Sequence, residues 1–125
     1  MKTTTPVIIS KQIRDLCEKL DPEYKPFYIE VKPDKNAIPH ECFENVNLRV
    51  QKQGGSIQHG WVIWEWPTIY IEAEFHAIWV SPSGEFVDIT PNDYGVNKIL
   101  FLPDRDKMFS PMKNVNKLTV LPVRK

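Results

Sequence analysis

Two different periods of apolar and polar residues run along this chain. In residues 11–20, Ile13, Leu16, Cys17 and Leu20 recur at i, i+3, i+4 and i+7, the spacing of one helix face. Ser10 offers an N-cap oxygen ahead of that run, and Asp21-Pro22 stops it. A short strand, "FYIEV" at 27–31, follows and ends at Pro33. The prolines and asparagine of "KPDKNAIPHEC" mark a loop, after which the helical period returns. Phe43, Val46 and Val50 then share a stripe, with Gly54-Gly55 as the C-terminal stop. This pattern starts the second helix at residues 40–42 and puts Cys42 in its first turn.

From Ser56 the period falls to 2. Residues 57–66 and 69–80 read as long strands joined at Pro67-Thr68, and "EFVDI" (85–89) as a third strand after the turn "SPSG". "KILFL" (98–102) and "KLTVLPV" (117–123) read as further strands. The order predicts an α+β fold, an antiparallel meander packed on two helices. Along 69–80 the odd positions (Ile69, Ile71, Ala73, Phe75, Ala77, Trp79) make an apolar core face. The even positions (Tyr70, Glu72, Glu74, His76, Ile78, Val80) are more polar. A three-residue loop at 81–83, closed by a left-handed Gly84, sets Val80 against Gly84 and His76 directly opposite Asp88. A loop two residues longer keeps both on one face but displaces them diagonally, whereas a one-residue slip separates them.

With 125 residues, 42% of them hydrophobic, the chain is long enough for one domain (1–125) with a core that needs no disulfides. Sixteen basic residues balance sixteen acidic ones, which argues against bulk electrostatic capture of nucleic acid. The charge is unevenly placed. Residues 61–97 carry Glu65, Glu72, Glu74, Glu85, Asp88 and Asp93 without Lys or Arg; residues 107–125 carry Lys107, Lys113, Lys117, Arg124 and Lys125 without an acid. The basic stretch is expected to pack on or near the acidic sheet. "MKTTTPVIIS" does not read as an export signal, because Pro6 breaks its short apolar run, and no apolar run approaches a membrane span. Cys17 and Cys42 make no disulfide framework, so reduced thiols and a cytoplasmic location are expected.

A thiol becomes a good nucleophile when ionised, by the positive end of a helix dipole or by an adjacent imidazole. Cys42 has the first, and His76, oriented by Asp88, is placed to supply the second. Cys17 lies on the apolar stripe of the first helix and reads as core. Cysteine at a helix start, histidine on a strand and aspartate on the next strand resemble the papain-like and transglutaminase-like cysteine-triad superfamily. "HAIW…GEFVDITP" is similar to the core segment of transglutaminase-like domains, so the resemblance covers about residues 36–91. It implies Cys42 as nucleophile, His76 as general base and acid, and Asp88 as orienter. It also implies an oxyanion donor before the nucleophile, for which Asn36 is the nearby amide, beside the Cys42 backbone N–H. The approach "AIPHEC" departs from the glycine-rich turn of that group, and Glu41 opposes thiolate formation unless it points to solvent.

A zinc site drawn from His40, Cys42, His59 and His76 fits no recurrent ligand spacing, and neither metal nor cofactor is expected. Trp64 and Trp66 share one face of their strand, and with Glu72 and Glu74 they suggest an aromatic, acidic groove. Two function classes follow. The first is a cysteine-dependent hydrolase or acyltransferase acting on amide, isopeptide or thioester bonds. The second is a catalytically inactive module on the same fold that holds a protein partner in the groove. Either implies a protein or peptide substrate or partner, with no nucleic acid and no membrane.

Overall fold

The computed structural model describes residues 3–104 and the backbone of residues 117–120. The elements are α1 (Lys11–Leu20), β1 (Phe27–Glu30), α2 (Cys42–Gln53), β2 (Ser56–Trp66), β3 (Tyr70–Val80), β4 (Phe86–Val87), β5 (Lys98–Pro103) and β6 (Lys117–Val120). The α+β class and both helices agree with the periodicity. α1 starts at Ser10, whose side chain accepts from the Ile13 N–H, and buries Ile13, Leu16 and Cys17. α2 begins at Cys42 itself.

All strand pairs are antiparallel, in the order β1-β5-β2-β3-β4, with β6 beside β3. β2-β3-β4 form the expected meander. β5 instead crosses back to lie between β1 and β2. The two edges of this strongly curled sheet then meet. Val31 and Asp88 form a parallel bridge, with Asp88 N–H donating to Glu30 O at 3.0 Å and Lys32 N–H to Asp88 O at 2.8 Å. The result is nearly a barrel.

Closure explains why the "polar" face of β3 is not a solvent face. Ile78 is fully buried with Val62, Trp64, Phe101, Ile29, Val31 and Ile99 inside the curl. The odd-numbered face is buried as well, Trp61, Ile63, Ala73 and Phe75 under α1 and Ala77 and Trp79 under α2. Each fully buried Ile or Leu there contributes on the order of 1.5–3 kcal/mol. Alternation along one strand distinguishes its two faces, but a sheet that closes on itself buries both.

β4 departs from the expected register. Val80 faces Phe86 and Trp79 faces Val87, so the loop is two residues longer than the pattern suggests. Gly84 is left-handed as expected (φ 94°), but it lies inside the loop, where Ser81 N–H bonds Glu85 O at 2.8 Å. The strand expected over 85–89 keeps only Phe86 and Val87, because Asp88 leaves β3 to bridge Val31. β3 and the chain beyond Val87 therefore part. That divergence creates the cleft described next.

β6 sets Thr119 opposite Glu72 and Lys117 opposite Glu74. The backbone of the basic stretch thus runs beside the acidic strand where it is described. Lys107, Lys113, Arg124 and Lys125 lie outside the described residues.

Candidate active site

α2 is held at both ends, which fixes where its first residue points. At the C-terminus, Gly54 takes φ 80° and its N–H bonds Val50 O, while the Trp79 indole donates to Gly54 O at 2.9 Å. Arg49 lies 4.1 Å from the centre of the Trp79 ring and pairs with Asp34. At the N-terminus the chain reverses through His40 (φ 71°) into Glu41, which caps with its backbone alone. The first-turn N–H groups of a helix have no intrahelical partner and carry its positive dipole end. Cys42 occupies that turn and is 7% exposed. Glu41 is exposed, so its carboxylate meets solvent.

Cys42 meets a cleft of about 220 Å³. β2 contributes Val62 and Trp64, β3 contributes Glu74, Phe75 and His76, α2 contributes Cys42 and Phe43, and the chain from Asp88 to Tyr94 closes the far wall. His76 Nε2 lies 3.0 Å from Asp88 Oδ1, with the two side chains 13% and 3% exposed. The diagonal register still permits this contact because Asp88 turns away from β3 toward Val31. Across the ladder from His76 stands Gly60, which leaves that position of the neighbouring strand without a side chain.

Burial by itself pushes the His76 imidazole below its ordinary value. The Asp88 charge and hydrogen bond, with a smaller contribution from the neighbouring Cys42, outweigh burial and hold His76 well above it. Burial on the core-facing side of α1 pushes the Cys17 thiol up to about 12.

The other expected site residues divide. Trp64 and Glu74 line the cleft, joined by an indole-to-carboxylate bond of 2.9 Å, with Tyr94 edge-on to Trp64 at 4.6 Å. Trp66 instead packs edge-on against Tyr70, and Glu72 is buried opposite Trp64 in the ladder; neither lines the cleft. Asn36 is exposed in a separate hollow with Asp34, Leu48 and Arg49, away from the thiol. Phe43, expected on the buried stripe, is 39% exposed; it stacks on His59 and meets the Phe75 ring at a tilt at the cleft wall. The helix buries Asn45 beside Val46 instead. His40, drawn for a zinc site, pairs with Asp93 at 3.2 Å, and His59 stacks on Phe43. Among the described residues no three His, Cys, Asp or Glu are grouped to hold a metal.

Asn45 and Thr90 escaped the sequence reading. Their only signal there is an amide at i+3 from Cys42 and a hydroxyl two residues beyond Asp88. Comparison with protein-family models, with curated proteins and with solved structures gives no match, so the meaning of the site rests on its geometry.

Proposed function

We propose that this protein is a cysteine-dependent hydrolase or acyltransferase with Cys42 as nucleophile, His76 as general base and acid and Asp88 as orienter. The fold is read as a papain-like or transglutaminase-like core. One observation carries the proposal: a buried His76–Asp88 pair at 3.0 Å lines the same cleft as Cys42, the first residue of a helix. In this mechanism His76 takes the Cys42 proton and the sulfur attacks a carbonyl carbon. The oxyanion then forms beside the first-turn N–H groups of α2. Collapse expels the leaving group, which takes its proton from His76. Water or an amine, deprotonated by His76, then attacks the thioester and regenerates Cys42. Asp88 holds the ring and stabilises the imidazolium throughout. With Asn36 remote, the second oxyanion donor is unassigned. The small cleft suits one side chain and its carbonyl, being below the roughly 300–1,000 Å³ of drug-sized pockets. Amide, isopeptide and thioester bonds of a protein or peptide are the natural substrates. The rival binding-module reading has only Trp64 and Glu74 of its four groove residues in the cleft.

An electrophilic thiol probe tests this. Near neutral pH, Cys42 should label much faster than Cys17, and His76→Ala should remove most of the difference. Cys42→Ala should abolish any hydrolysis of small thioester or amide substrates that the intact protein shows. Full activity in Cys42→Ala, or equal labelling of both thiols, would return Cys42 to a packing role.

A further inference from the structure

The catalytic reading needs three side chains from three separate elements to hold a fixed geometry, and the His76–Asp88 bond fixes only two of them. Asn45 supplies the remaining link. It lies one helical turn beyond Cys42 on the same side of α2, is 6% exposed, and makes three hydrogen bonds. Its Oδ1 accepts from Ile38 N–H at 3.1 Å, and its Nδ2 donates to Ile38 O at 2.9 Å and to Thr90 Oγ1 at 3.0 Å. The amide orientation follows from these partners. A flip would set oxygen against the Ile38 carbonyl and nitrogen against its N–H, losing both bonds. Thr90, 3% exposed, passes the connection on, since its backbone N–H donates to Asp88 Oδ1 at 3.3 Å. The same oxygen meets His76.

We propose that Asn45 is the positioning residue of this site, tying the helix that carries Cys42 to the segment that carries Asp88 through Thr90. The chain Asn45–Thr90–Asp88–His76 thus runs from the helix that carries Cys42 to the imidazole that shares its cleft. Asn45 touches neither substrate nor the reacting atoms. Its bonds to Ile38 also hold the loop entering α2. The inference rests on the thiol-chemistry reading for its purpose, though the hydrogen-bond chain can be tested without it.

The discriminating variants are Thr90→Val, which keeps the shape and the backbone N–H but removes the oxygen that Asn45 reaches, and Thr90→Ser, which retains it. Two readouts are taken on the full chain: the pH profile of Cys42 alkylation by iodoacetamide, and the His76 imidazole titration by NMR. Thr90→Val should fold, label Cys42 about 10- to 100-fold more slowly near neutral pH, and move the His76 titration down toward its ordinary value. Thr90→Ser should recover both, and Asn45→Ala should repeat the Thr90→Val result where it folds. A Thr90→Val protein with wild-type profile and titration overturns the proposal, as does equal loss in Thr90→Val and Thr90→Ser. Should wild-type Cys42 label no faster than Cys17, the nucleophile reading fails, and the His76 titration alone then decides the positioning role.

Discussion

Replacing Asp88 by asparagine removes one charge from a site that is otherwise kept in shape. In the native protein the carboxylate meets His76 Nε2 at 3.0 Å and Thr90 N–H at 3.3 Å, and its side chain is 3% exposed. A hydrogen bond to a charged group is worth about 1.5–3 kcal/mol net, and a neutral one about 0.5–1.5 kcal/mol. Asparagine retains neutral bonds at both contacts, so the loss should be about 1–2 kcal/mol where the native ring is protonated. Truncation to alanine leaves a buried imidazole unpaired and should cost more, about 3–5 kcal/mol. The pH dependence carries the sharper signature. The folded-state value of His76 lies above its unfolded one, so its stabilisation is complete below the unfolded imidazole's range and disappears as pH climbs through the folded value. Asp88→Asn leaves burial as the largest remaining influence, so the His76 titration should fall below its native position. The stability gap between wild type and Asp88→Asn should be widest below the unfolded imidazole's range, about pH 6.5, and narrow on the alkaline side. Urea unfolding at a series of pH values, beside an NMR titration of His76, measures both. A gap that stays constant with pH, or an unmoved His76 titration, would refute the charge-pair account.

Gly60→Ala should destabilise the fold by about 1–3 kcal/mol or more, because its Cβ would sit 2.3 Å from Leu102 O and 2.5 Å from the Phe101 ring. It should also slow Cys42 labelling, since Gly60 pairs with His76; an unchanged thermal midpoint would contradict the packing argument. Cys17→Ala should cost about 1–2 kcal/mol of core packing and leave Cys42 alkylation unaltered, as peptide mapping by mass spectrometry will show. Asp104→Ala should leave the buried Trp61 indole N–H, now 2.8 Å from Asp104 Oδ2, without its acceptor. A destabilisation of about 1–3 kcal/mol is expected in tryptophan-monitored unfolding, and a neutral result would show that the indole finds another acceptor.

Local features of this protein were legible in its residues because they depend on near neighbours. Ser10 caps α1, Gly54 ends α2, and the period-2 runs become β2 and β3. Cys42 falls in a first helical turn because Pro39 and the chain reversal behind it leave nowhere earlier for the helix to begin. His76 and Asp88 share a face because strand alternation survives a loop change of two residues. What the chain concealed depends on closure in three dimensions. The Val31–Asp88 bridge joins residues far apart in sequence, pulls Asp88 off β3, and makes the interior of the curl apolar on the face that alternation marks as polar. It also decides that Trp64 and Glu74 border the cleft while Trp66 and Glu72 do not. Asn45 has the same origin: its value lies in reaching Thr90 across 45 positions, a contact that no local pattern encodes. Helix stops and strand periods are set by interactions over a few residues, whereas the meeting of sheet edges depends on twist and packing summed over every strand.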